Sequence, residues 1–121
     1  MIVPEWTIQR PRPRRGETMD IKDLNIDHER LAEICRRRQV KLLEVFGSFA
    51  SGEATPESDI DFLVTFEPEW ELLQQIELQE DLAVFFGRKV DLLTRSSVES
   101  SPNKYFRYFA LHDTEAVFEQ A

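Results

Sequence analysis

Two short stretches of this chain hold residues whose types and spacing suit phosphoryl chemistry: Gly47-Ser48 and, after ten intervening residues, Asp59-Ile60-Asp61. A strand turns residues i and i+2 to the same side, about 6.5 to 7 Å apart, so an extended 59–61 segment gives Asp59 and Asp61 one shared face. Two carboxylates at that separation can hold a pair of divalent ions roughly 3.5 to 4 Å apart, the arrangement that stabilises attacking and leaving oxygens in phosphoryl transfer. Oxygen ligands favour Mg²⁺ or Mn²⁺. Gly47 lets the backbone approach a phosphate with no Cβ in the way. Ser48 adds a hydroxyl and an N–H at the start of a helical turn, a position that favours anions.

A third carboxylate, Asp91, lies in the apolar run Val90-Asp91-Leu92-Leu93. If that run is a strand beside the one that begins at Ile60, Asp91 faces the Asp59 and Asp61 pair. Three converging carboxylates raise one another's pKa, and a bound cation removes the repulsion. Asp91 is also the group best placed to take a proton from an attacking hydroxyl. The four fixed positions of the Gly-Ser and Asp-x-Asp pattern coincide by chance on the order of once in 1,000 chains of this length.

The elements that must position these residues follow from the hydrophobic periods. Asp27 is expected to cap a helix over 27–39, with Leu31, Ile34 and Cys35 on its apolar stripe and the basic run Arg36-Arg37-Arg38 as its solvated end. Residues 40–46 and 60–66 read as strands, and 47–58, rich in Gly, Ser and Thr, as a loop with one short helical turn. A long helix is expected over 69–86, with Leu72, Ile76, Ala83 and Phe86 near one stripe and Gly87 as its stop. A third strand over 89–94, a helix over 103–111 after Pro102 and a short final strand over 115–118 complete the order. Helices alternating with strands predict an α/β (α+β) domain, a small mixed β-sheet of three to four strands packed with helices. At this size the helices are expected to cover one face, leaving a homo- or hetero-oligomer to complete the burial.

Composition narrows the function classes. The chain has 121 residues, 41% hydrophobic and 31% charged, with one Cys and two His. That is one soluble domain, with neither a disulfide nor a structural zinc site. No window nears the roughly 18 consecutive apolar residues of a membrane span, and a reducing cytoplasm is the expected location. Residues 1–18 hold Arg10, Arg12, Arg14 and Arg15 against Glu5 and Glu17 and read as a flexible basic arm, or as leader ahead of a start at Met19. The remaining residues 19–121 are net −10, which argues against a general nucleic-acid binder.

The stretch from Phe46 through Gly47-Ser48 and Asp59-Ile60-Asp61 to Val64, with the later Gly87-Arg88-Lys89-Val90-Asp91-Leu92-Leu93-Thr94, resembles the minimal nucleotidyltransferases of the polymerase-β-like superfamily. The resemblance covers roughly residues 20–119 and implies a nucleotidyltransferase-like fold for the 19–121 domain. It implies that Gly47 and Ser48 hold a triphosphate, that Asp59 and Asp61 bind Mg²⁺ (or Mn²⁺), and that Asp91 completes the site. The chain departs from the pattern at Ser51, where many relatives carry a basic residue. Relatives of this size act as antitoxins beside an all-helical HEPN ribonuclease toxin. The resemblance therefore implies transfer of AMP from ATP to a toxin tyrosine, with neutralisation by occlusion alone as the alternative.

Other residues read as structural. Tyr105, Phe106, Tyr108 and Phe109 crowd one predicted helix, and core packing is expected for them ahead of a partner-binding surface. Trp70 is open to the same two readings. His28 and His112 are expected at the surface or in caps, and Cys35 in the core.

Overall fold

A computed structural model of the chain describes residues 17–120. The expected basic arm lies outside the described residues except for its last two, Glu17 and Thr18. Four strands form one mixed sheet: β1 (Val40–Phe46), β2 (Ile60–Phe66), β3 (Val90–Thr94) and β4 (Glu115–Glu119), in the order β3-β2-β1-β4. β1 runs antiparallel to both β2 and β4, while β3 lies parallel to β2. The registers Phe46↔Asp61, Val45↔Glu115 and Asp61↔Asp91 bring the end of β1 and the starts of the other three strands to one edge of the sheet.

Alternation along the strands sorts side chains between two faces. Ile60, Phe62 and Val64, with Val90 and Leu92, join Leu43 and Val45 in the main core under α1 (His28–Arg37) and α3 (Leu72–Phe86). On the other face Phe46 and Leu63 meet Val98 of α4 (Arg95–Glu99) and Ala110 of α5 (Lys104–His112) in a much smaller cluster. Helices therefore stand on both faces, not on one as expected. The hydrophobic periods predict no element over 95–101, yet Thr94 starts α4 there by accepting from the Ser97 N–H, and Val98 is 1% exposed.

Two further expectations change. α3 begins at Leu72 rather than 69, because Glu69 takes a positive φ of 68° and Trp70 stacks on Phe66 at 4.9 Å. Its buried residues are Leu78 and Leu82; of the predicted stripe, Ala83 and Phe86 pack on the core, whereas Leu72 is 65% and Ile76 49% exposed. The helix is oriented by glutamines: Gln75 donates to the Leu92 carbonyl at 3.1 Å and Gln79 accepts from the Leu92 N–H at 3.3 Å. Those bonds satisfy backbone groups on the outer edge of β3, where no further strand pairs among the described residues. Arg38 is no solvated helix end either, since its Nε donates to Asp81 at 2.7 Å and ties α1 to α3.

Candidate active site

The loop that leaves β1 begins with Gly47 at φ 70° and ψ −146°, a conformation open to glycine. α2 (Ser48–Ser51) follows as one helical turn, with Phe49 fully buried beneath it. A Cβ on Gly47 would lie 2.7 Å from Asp61 Oδ2, so the backbone of the Gly-Ser turn rests directly against a carboxylate of the next strand. The loop then returns past Ala54, which bridges to Met19, and reaches Asp59 just before β2.

Asp61 and Asp91 are register partners across the parallel β2–β3 pair, on the face that carries Leu63 and Val98. The Asp61 carboxyl is pushed up to about 6. Burial is the larger cause, followed by the charges of Asp91 and Asp59 and a hydrogen bond to Asp91, against a lowering by Lys89. Asp59 stands close enough to add to that repulsion, but its carboxylate faces outward to Lys89 Nζ at 3.6 Å. Among the described residues, no three acidic, His or Cys side chains stand in a ready metal-binding cluster. The parallel β2–β3 pairing brings Asp91 to Asp61, the condition set for it in the sequence, whereas Asp59, expected to pair with Asp61 on one strand face, lies just before β2 and flanks them.

The residues fit a divalent cation by their chemistry. All three donors are carboxylates, and Asp61, raised first by burial, is raised further by the charges of Asp91 and Asp59, a repulsion that a cation relieves. Asp59 has to turn only from an exposed ion pair, with Lys89 70% and Asp59 44% exposed in their side chains, so little is lost by the exchange.

Beside this edge lies a cleft of about 270 Å³, lined by Gly47, Ser48, Ser51 and Glu53 from the β1–β2 loop and by Tyr108, Phe109, His112 and Asp113 from the end of α5. The β1–β4 register creates it, because Val45↔Glu115 places the end of α5 next to the end of β1. Tyr105, Tyr108 and Phe109 are 77%, 66% and 68% exposed, so the expectation that the α5 aromatics pack the core is overturned. Ala110 is the fully buried residue of that helix, and Leu111 packs beside it against the same cluster. His28 and His112 are exposed and Cys35 is buried in the core, as expected; burial pushes the Cys35 thiol up to about 12.

Sequence reasoning missed two cations at this edge. Lys89 pairs with Asp59, and Arg88 spans the loop, donating to the Ser58 carbonyl at 3.3 Å with its guanidinium 5.2 Å from the centre of the Phe49 ring. The available signal was two basic residues directly ahead of the strand that carries Asp91.

A mixed four-stranded sheet with a Gly-Ser turn at the end of one strand and carboxylates at the starts of its neighbours defines a nucleotidyltransferase-like α/β fold. The chain matches the nucleotidyltransferase domain family over residues 28–117 and belongs to it. It is 46% identical over 68 residues to the protein adenylyltransferase MntA of Thermococcus cleftensis, spanning 56% of this chain and 69% of that one. Among solved structures it is similar to a candidate minimal nucleotidyltransferase, at 32% identity and TM-score 0.63 over 83% of this chain and 98% of the other. It also shares its fold with the complex of a tri-AMPylated Shewanella oneidensis HEPN toxin and an MNT antitoxin, at 18% identity and TM-score 0.52 over 77% and 70% of the two chains.

Proposed function

We propose that this nucleotidyltransferase transfers AMP from ATP to a hydroxyl of a protein partner, a tyrosine of a HEPN-type toxin, and so acts in the cytoplasm as the antitoxin of the pair. The observation that carries the reading is the in-register Asp61–Asp91 pair against the Gly47 backbone. The 46% identity to a protein adenylyltransferase supports the acceptor class, and the fold shared with an antitoxin bound to an AMPylated toxin supports the partner.

In this reading Gly47 and Ser48 bind the triphosphate, Gly47 by allowing close backbone approach and Ser48 through its hydroxyl and N–H. Asp59, Asp61 and Asp91 are the residues that would hold Mg²⁺, which when bound neutralises phosphate charge and stabilises the oxygens of the displacement. The acceptor oxygen forms a bond to the α-phosphorus while the bond from that phosphorus to the leaving pyrophosphate breaks. The acceptor proton passes to Asp91. Lys89 and Arg88 supply positive charge at this edge, where Ser51 brings none.

The test is incubation with α-labelled ATP, Mg²⁺ and the product of the adjacent gene. Label on a partner tyrosine is the expected result. Inhibition of the partner without label would replace this reading with occlusion.

A further inference from the structure

The triphosphate accounts for one wall of the cleft and leaves the aromatic wall without a role. On that wall Tyr108 and His112 stack on each other, ring centres 4.6 Å apart and planes at 24°, one helical turn apart on α5. The Tyr108 hydroxyl and His112 Nε2 approach to 3.5 Å. Phe109 stands beside them, and the three rings face Gly47, Ser48 and Ser51 across the same cleft. A solvated aromatic pair contributes little to a fold, and here the buried contact of the helix is made by Ala110 instead.

We infer that Tyr108, with His112 and Phe109, forms the platform on which the nucleobase of the bound nucleoside triphosphate stacks. The inference rests on the nucleotide site proposed above and extends it to the part of the substrate that the carboxylates and the Gly-Ser turn do not touch. Three features favour a base over other occupants. The rings share one cleft with the proposed phosphate-binding turn, which makes α5 the aromatic surface within reach of a nucleotide held there. The paired rings present flat π-faces, the surface on which any nucleobase stacks. The cleft, at about 270 Å³, is sized for a small planar group rather than for a folded partner. A purine covers more of the platform than a pyrimidine and is bound more tightly.

Titration calorimetry of the full chain with ATP, UTP and inorganic tripolyphosphate, each with Mg²⁺, tests this on wild type, Tyr108→Ala and Tyr108→Phe. Base–aromatic stacking corresponds to roughly a tenfold change in affinity per base, so Tyr108→Ala should weaken ATP by about tenfold and UTP by less. Tripolyphosphate, which has no base, should bind both proteins equally, and Tyr108→Phe should keep the wild-type affinity for ATP. Equal ATP affinity in wild type and Tyr108→Ala, or a parallel loss for tripolyphosphate, would overturn the platform. Failure of wild type to bind either ligand would instead overturn the nucleotide site itself.

Discussion

The two faces of the sheet are built from the same strands and serve opposite ends. Beneath α1 and α3, Ile60, Phe62 and Val64 meet Leu31, Cys35, Leu78 and Leu82, each no more than 1% exposed. On the other side the same β2 strand offers Asp61, Leu63 and Thr65, and among the described residues Phe46, Leu63, Val98 and Ala110 close into a small core with Leu93 and Leu111 packed against it. Glu44, the buried carboxylate on this side, is held by Arg95 at 2.7 Å and Thr114 at 3.0 Å. Asp61, by contrast, shares its hydrogen bond with another acid, Asp91, and burial together with its acidic neighbours raises its carboxyl to about 6 against a lowering by Lys89. Burial concentrated on one face supplies the stability that lets the other keep carboxylates crowded at an edge.

The largest effects should separate the two faces completely. Asn at Asp59 or Asp61 removes a proposed cation ligand and should abolish transfer. Asp91→Asn should lower transfer by about 10²- to 10⁴-fold, the usual range for general-base assistance, while ATP still binds. All three variants should remain folded by circular dichroism. If Asp59→Asn and Asp61→Asn still form the complex but no longer neutralise the partner in cells, occlusion is not the whole mechanism; full protection by both would sink the enzymatic reading. On the opposite face Phe62→Ala leaves a cavity beside Phe86, whose ring centre is 5.5 Å away, and should cost about 3 to 5 kcal/mol in urea unfolding. Tyr105→Ala, at a residue 77% exposed, should stay within about 0.5 kcal/mol. Similar losses for the two would erase the distinction between the faces.

Gly47 lies where the faces meet the loop, and its replacement should be felt on both scales. Ala there carries a Cβ 2.7 Å from Asp61 Oδ2 and a φ that side chains avoid. Strain of this kind costs on the order of 1 to 3 kcal/mol, so thermal unfolding should show a moderate loss. Nucleotide binding should fall further than stability, because the clash displaces a carboxylate of the site. A Gly47→Ala protein that binds ATP normally would mean that the turn does not approach the phosphates.

How much of this was legible beforehand depends on what fixed each element. β1 and β2 fall at 40–46 and 60–66 as read, because their β-prone runs are bounded by Gly47 and by the Asp59 turn. The Asp61–Asp91 pairing was legible as a conditional, since period-two alternation sets the face but only the parallel β2–β3 register sets the neighbour. The facing of α3 was legible in part: Ala83 and Phe86 of the expected stripe pack on the core, while Gln75 and Gln79, polar in sequence, fix the helix on Leu92 so that Leu72 and Ile76 face outward. The α5 aromatics were misread for a related reason. Size and hydrophobicity predict burial, but Ala110 is the residue that lets the helix approach the sheet, and its neighbours are left facing the cleft.

The smallest effect measures the burial and the crowding of Asp61 together. Asp61 ordinarily titrates near 3.8, and in the folded protein it is raised to about 6 by burial first and then by Asp91 and Asp59. Between those two values the native state holds more protons at this position than the unfolded chain does, so stability falls as pH rises through the window. The contribution is complete at the acidic end and gone above about 6, where the ionised carboxylate has to be accommodated beside its neighbours. Asp61→Asn cannot ionise and escapes the loss. Without divalent ions its Tm should exceed that of wild type at pH 7, and the advantage should shrink as pH falls toward about 4, other titrating groups cancelling in the comparison. Adding Mg²⁺ at pH 7 should then raise the wild-type Tm and leave the Asn variant nearly unchanged, because cation and proton relieve the same repulsion. An Asn variant with no advantage at neutral pH would mean that the carboxylates are not crowded, and the case for a cation between them would lose its electrostatic basis.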